Sequence, residues 1–262
     1  MSAYHIREMK DSDIDPVVDI IERHDDDDAR TAYLSFKEYG TQGHVVLADE
    51  RNIARGVTGV FQANAQSFWL SWTYLDKRLR GQGYGRQFGD YALAQVREQG
   101  AKVLFISTSD YKVRGVDIYD DAKQFYKAMG AKEAMTIPDY FQRGESHCVY
   151  RMQVSDFEKS GPPEKDLIIQ FSGMEAIKET KVAYALTWEE VGEGHLSQTK
   201  KELEKLVQGA KHSLSHAVFF SIPDAFDSRQ RAIVESFGFR ELGKLEDFFA
   251  PGVDELHFGY YL

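Results

Sequence analysis

Leu75-Asp76-Lys77-Arg78-Leu79-Arg80-Gly81-Gln82-Gly83-Tyr84-Gly85-Arg86 stands between an apolar strand at residues 68–75 and an amphipathic helix at residues 84–99, which Gly100 ends. Three glycines in five residues let the backbone approach a ligand closely and turn its N–H groups inward. The helix that begins there adds unsatisfied donors and the positive end of its dipole. Such a turn holds phosphate, and Lys77, Arg78, Arg80 and Arg86 supply countercharge. Two other phosphate loops fail on the letters. A dinucleotide-binding G-x-G-x-x-G needs Gly at 86 or 88, where Arg86 and Phe88 stand, and a P-loop needs Gly-Lys-Ser/Thr, which is absent. The alternative is a glycine-rich turn without a ligand.

The rest of the composition fits one such site in a globular protein. At 262 residues the chain is one large domain or two small ones, and 42% hydrophobic with 13% aromatic residues fills a core, which argues against disorder. The N-terminus is charged within eight residues, and no apolar run reaches the roughly 18–20 residues a membrane span needs, so neither a secretion signal nor a membrane partner is expected. The single cysteine, Cys148, makes no internal disulfide and no cysteine-based metal site. It reads as a small buried residue on a strand, in a protein of the reducing cytoplasm. The net charge of −10 excludes a general nucleic-acid binder. Its distribution is uneven: residues 1–50 balance at −8, residues 51–150 at +4 and residues 151–262 at −6. A basic middle in an acidic chain points to one polyanionic ligand.

Further strands are predicted at residues 4–7, 44–48, 57–62, 103–107 and 148–154. Helices are predicted from Asp11, its N-cap, then over residues 29–36 behind the acidic run Asp25-Asp26-Asp27-Asp28, and over residues 120–129. Strands alternating with helices make a mixed α/β sheet. Ser160-Gly161-Pro162-Pro163 reads as a linker. Beyond it the pattern returns. Asp121–Ala131 with Asp139-Tyr140-Phe141 corresponds to Arg229–Phe239 with Asp247-Phe248-Phe249, so Gly130 to Gly238 and Asp139 to Asp247 are both 108 residues apart. Two domains, 1–155 and 156–262, related by tandem duplication, follow from this.

The loop Arg80-Gly81-Gln82-Gly83-Tyr84-Gly85 resembles the Gln/Arg-x-x-Gly-x-Gly/Ala signature of the GNAT-type N-acetyltransferases, and Ala122-Lys123-Gln124-Phe125-Tyr126-Lys127-Ala128-Met129-Gly130 is similar to that family's later helix. The resemblance covers residues 4–153 and implies a splayed mixed sheet, the GNAT fold, with a degenerate second copy after it. It also implies acetyl-CoA as cosubstrate and no metal. Coenzyme contacts then fall on Tyr74 and Leu75, which pair with pantetheine, on Arg80, Gly81, Gln82, Gly83, Tyr84, Gly85 and Arg86 around the pyrophosphate, and on Tyr119 and Phe125. Tyr126 takes the place of the phenol that protonates the departing thiolate, the alternative being an aromatic packed at helical spacing with Ala122 and Met129.

The implied reaction is direct attack of a primary amine on the thioester, an acyltransfer of the EC 2.3.1 class. Two positions depart from the family. Tyr119 stands where many members have Asn, and residues 68–74 contain no glutamate, so the general base is unassigned. Asp110, Asp117, Asp120, His44 and His147 are candidates for a relay. Asp25, Asp26, Asp27 and Asp28, in the connection that borders the acceptor in this family, suggest a cationic small-molecule or peptide amine. The chain is expected as a monomer or homodimer. The missing glutamate also permits a second function, an acyl-CoA sensor without turnover.

Overall fold

The computed structural model describes residues 4–158, 166–180 and 183–262, and the expected linker at Ser160-Gly161-Pro162-Pro163 lies outside them. Its elements are β1 (Tyr4–Glu8), α1 (Ile14–Glu22), α2 (Asp26–Tyr39), β2 (His44–Asp49), β3 (Ala54–Gln62), β4 (Ser67–Leu75), α3 (Tyr84–Glu98) and β5 (Val103–Ser109). Then come β6 (Lys112–Val113), β7 (Val116–Asp117), α4 (Asp120–Ala128), β8 (Lys132–Gln142) and β9 (Glu145–Gln153). The remainder is β10 (Ile169–Ala176), β11 (Ala183–Glu190), α5 (Thr199–His212), β12 (Ala217–Pro223), α6 (Ser228–Phe237), β13 (Arg240–Ala250) and β14 (Val253–Tyr261). They group into two compact units. One comprises Met1–Ser107, Gln124–Ala131 and Met152–Asp156, the other Thr108–Lys123, Lys132–Arg151 and Phe157–Leu262.

In the first unit β1 to β4 form an antiparallel run in chain order, and β5 joins β4 in parallel. Alternate residues of each strand point to opposite faces. Val46 and Val57 meet Val17 and Ile21 of α1 and Ala32 and Phe36 of α2, with Trp72 and Tyr74 packed beside them. Leu47, facing the other way, meets Leu79 and Phe88. The parallel register runs from Ser67↔Val103 to Leu70↔Ile106 and stops, whereas β4 continues to Leu75 paired only with β3 through Val57↔Tyr74 and Gly56↔Leu75. A seam therefore opens between the last residues of β4 and β5.

The expected cap at Asp11 is not the one used. Asp11–Asp13 is a short 3₁₀ turn, and α1 begins at Ile14. The physical reason is Asp13, whose carboxylate accepts the Lys10 N–H at 2.9 Å and a forked pair from Arg7 at 2.6 and 2.8 Å, which tightens the entry by one turn.

The second unit holds the hairpin β8–β9 and a sheet in the order β10-β11-β12-β14-β13, with β11 and β12 parallel. Its core centres on Phe171, Phe220, Phe239 and Phe258, the rings of Phe220 and Phe258 stacked at 4.9 Å. Strand β8 has no counterpart among the predicted elements, because Pro138 and Asp139, the latter with φ of 52°, interrupt its alternation.

The 108-residue spacing recurs in the hydrogen-bond register. Lys132↔Arg151, Met135↔Val149, Ile137↔His147 and Gln142↔Glu145 in one hairpin become Arg240↔Gly259, Gly243↔His257, Leu245↔Glu255 and Ala250↔Val253 in the other. Both register shifts recur too, at Glu133/Met135 and Ile137/Gln142 and again at Glu241/Gly243 and Leu245/Ala250. Asp139 and Asp247 share a left-handed backbone, and each accepts the N–H of a glycine five residues on, Gly144 at 2.5 Å and Gly252 at 2.8 Å. Strands β8 and β13 meet at Met135 and Gly243, which are themselves 108 apart: a Cβ on Gly243 would lie 2.7 Å from Met135 Cγ.

Candidate active site at the strand seam

Beyond Leu75 the chain turns on Asp76. Its buried side chain accepts the Arg78 N–H at 3.0 Å and pairs with the Arg78 guanidinium at 2.8 Å. The Arg78 contact outweighs the cost of burial and holds the Asp76 carboxyl down at about 2. The turn at Lys77–Leu79 leads to Arg80, and then Gly81 and Gly83 both adopt left-handed angles, φ of 72° and 85°, with open space where a Cβ would stand. Gly83 is the N-cap of α3, whose first helical bond to the cap is Gln87 N–H to Gly83 at 3.1 Å, so the N–H groups of Tyr84, Gly85 and Arg86 lie in the first turn, ahead of the ladder. This is a cradle of the shape and charge that a pyrophosphate requires.

Gly85 differs from its neighbours. It is helical, and a Cβ there would touch the Phe125 ring at an ordinary 3.7 Å, so its role is to admit Phe125 and not to supply a left-handed turn.

The cationic side chains are not equivalent. Arg78 is committed to Asp76, and Arg86 pairs with Asp90 at 3.1 Å on the exposed face of α3. Arg80 donates to the His24 ring at 3.0 Å. Burial first, and then the charges of Arg80 and Lys77, push His24 down to about 4, so at neutral pH it is uncharged and accepts. Ile20, Arg23 and His24 of the first helix and its exit face Asp76, Lys77 and Arg78 across an open pocket of about 220 Å³.

At the seam itself, Leu70, Thr73, Ile106 and Tyr126 line a cavity of about 10 Å³, scarcely room for one water. Tyr126 is buried, and burial, aided by the charge of Asp28, pushes its phenol up to about 12, so it stays protonated at neutral pH. The acidic run divides by role. Asp25 caps α2, accepting the N–H groups of Asp27 and Asp28 at 2.9 and 3.0 Å; Asp27 lies 3.6 Å from Arg30; Asp26 is exposed; and Asp28 accepts the Tyr74 hydroxyl. The sequence reading did not separate Asp28 from its neighbours. The available signal was its place at the third helical position, next to the buried stripe Ala29, Ala32 and Phe36.

The other relay candidates have local duties. His44 lies 2.8 Å from Ser71 Oγ and 3.1 Å from the Gln42 carbonyl, and burial lowers its pKa. In the second unit Asp110 accepts Ser146 N–H at 2.6 Å, Asp117 accepts Tyr119 N–H at 2.8 Å and pairs with Lys123, Asp120 lies in the first turn of α4, and His147 is packed against Tyr140 with its ring centroid 4.7 Å away. Tyr119 belongs to that unit as well. Cys148 is buried on β9, and burial raises its thiol. Among the described residues no group of three or more His, Cys, Asp or Glu side chains is placed to hold a metal, and no helix is long and apolar enough to cross a membrane.

A family model described as acetyltransferase (GNAT) family matches residues 8–131, which span the seam, the loop and Tyr126. Residues 8–131 are thus similar to the acetyltransferase domains of the GNAT family. Solved structures share the fold. An aminoglycoside 6'-N-acetyltransferase complexed with coenzyme A aligns at a TM-score of 0.50 and 13% identity, over 59% of this chain and 99% of its own. Ard1 from Thermoplasma volcanium aligns at a TM-score of 0.50 and 19% identity, over 59% and 99%. No curated protein matches the chain significantly.

Two expectations follow from the loop. Gly83→Val forces a β-branched residue into a left-handed position, and calorimetry is expected to show coenzyme A affinity reduced at least about tenfold in a folded protein, with Gly85→Val milder because its backbone is helical. The second concerns acid stability. Because the folded pKa of Asp76 lies below the ordinary carboxylate value, its stabilisation is complete above about pH 4 and is lost as pH falls towards about 2. Urea unfolding of Asp76→Asn is therefore expected to change less across that window than the parent protein.

Proposed function

We propose that the first half of the chain is an acetyl-CoA-dependent N-acetyltransferase whose acceptor is a cationic primary amine. The observation that carries this reading is the seam, because it puts an open strand edge, a phosphate cradle and a buried, protonated phenol along one path. Gly81, Gln82, Gly83, Tyr84, Gly85 and Arg86 offer backbone donors to the pyrophosphate, and Arg80 adds charge on exchanging His24 for phosphate. The edge of β4 at Tyr74 and Leu75 offers main-chain groups to pantetheine as an added strand would. Phe125 and Tyr119 are assigned to coenzyme contacts by their place in the family pattern. The amine attacks the thioester carbonyl, and Tyr126 gives its proton to the departing sulfur. Asp26 and Asp27, exposed beside the entry, draw a cation towards it at low salt, while Asp25 holds their helix in place.

The second half, from residue 156, is read as a degenerate copy. The matched registers support duplication, and its own seam is bridged. Pairing of β11 with β12 ends at Ala185↔Phe219, and beyond it the Trp188 indole donates to the Ser221 carbonyl at 2.8 Å, across the space that a pantetheine arm needs. Acidic Glu189, Glu190 and Glu193 stand near the position of the cationic loop, and Val234 takes the place of Tyr126.

Thiol release from acetyl-CoA with a panel of polyamines, amino sugars and basic peptides tests the reading against a sensor without turnover. Tyr126→Phe is expected to lower kcat about 10²–10⁴-fold with coenzyme affinity unchanged. Wild-type kcat in that variant removes the phenol from the mechanism. Calorimetry is expected to give one coenzyme per chain at saturation, and two would overturn the assignment of the second half.

A further inference from the structure

A base is still needed. Attack by a neutral amine leaves positive charge on its nitrogen, and the proton must go to an acceptor on the side from which the amine comes. Strand β4 carries no glutamate for this, and of the residues expected to relay, His44, Asp110 and Asp117 are hydrogen-bonded in local structure.

Asp28 is different in kind. Its carboxylate comes from the first turn of α2 and accepts the hydroxyl of Tyr74, a residue of β4 beyond the last β4–β5 pair. That bond sets its orientation on the α1–α2 face of the sheet, where Tyr74 packs. Its charge reaches Tyr126, on the wall of the seam cavity. Asp28 is thus held by a side chain of β4 at the open end of the strand, and its charge is felt by the buried phenol of α4. Asp25 and Asp27, by contrast, serve the helix and Arg30.

We propose that Asp28, oriented by Tyr74, is the catalytic residue that receives the acceptor amine and takes its proton. The inference rests on the acetyltransferase reading above. The N–C bond forms and the C–S bond breaks, with the electron pair of the latter leaving on sulfur. Asp28 takes one proton from nitrogen, and Tyr126 gives one to sulfur. The proton then held by Asp28 balances the phenolate at Tyr126, so its return restores both groups, and the sum is amine plus thioester to amide plus thiol. An amine that arrives protonated first gives one proton to solvent. Tyr74 is a positioning residue. The same carboxylate selects amines with a cationic or strongly hydrogen-bonding nitrogen over neutral hydroxyl acceptors.

The test uses the full chain, acetyl-CoA, and spermidine, tobramycin and a lysine-rich peptide as probes. On whichever probe the parent protein acetylates, Asp28→Asn is expected to lower kcat about 10²–10⁴-fold and to remove the acidic limb of the pH–rate profile, with coenzyme affinity by calorimetry unchanged. Asp28→Glu is expected to regain part of the rate, and Tyr74→Phe to shift the acidic limb with a smaller loss in kcat. Asp28→Asn with the parent kcat and the parent limb overturns the proposal, as does a raised KM with kcat intact, which would make Asp28 a steering charge only. A parent protein that binds acetyl-CoA but releases no thiol above buffer with any probe overturns the acetyltransferase reading itself, and this inference with it.

Discussion

The parting of β4 from β5 after Leu70↔Ile106 is the constraint on which the site depends. A parallel pair that continued to Leu75 would use both edges of β4 and leave no main-chain groups for a ligand. The strand survives without its partner because β3 holds the other edge to the end and because Asp76, locked to Arg78, fixes the exit. The glycine cradle and the start of α3 are placed by that exit, and Tyr126 closes the far wall. A buried carboxylate at the strand end is thus part of how the glycine loop is aimed.

The second half repeats this strand arrangement. Its β11 also leaves β12 early, yet an indole spans the difference. Beyond the last parallel pair of the second half the gap between the strands is crossed by a side chain, Trp188, where the first half has Thr73 at the equivalent step past Leu70.

Much of this was legible in the letters, for identifiable reasons. Glycines at 81 and 83 need left-handed angles that few other residues tolerate, so the loop announced itself, and helix α3 followed from its period. The 108-residue spacing was visible from Gly130 and Gly238 because a helix stop is a local event. Strand β8 was hidden because Pro138 and Asp139 speak for a break, while its pairing with β9 is a tertiary fact. Asp28 was hidden in a run of four identical residues. Which of them turns inward is decided by Asp25 taking the cap, and the bond to Tyr74 joins residues 46 apart. The departure at Asp11 has the same origin, since Arg7 recruits Asp13 from another element.

The meeting of Met135 with Gly243 has a consequence for how the molecule behaves on dilution. When equivalent residues of two copies touch one another, the contact has the form of a two-fold axis, which separate chains would reach only by association. Here both partners lie on one polypeptide, joined also by Arg151 to Asp247 at 2.7 Å and by the Tyr261 hydroxyl to the Pro138 carbonyl at 2.6 Å. The tether replaces a bimolecular equilibrium with an effective concentration, so this contact does not weaken as the protein becomes scarce. It also frees the two sides to differ. Position 259, the counterpart of Arg151, is a glycine, and Asp139, the counterpart of Asp247, receives His216 at its carbonyl instead. Two identical chains could not diverge in this way, because every substitution would appear on both sides of the axis at once.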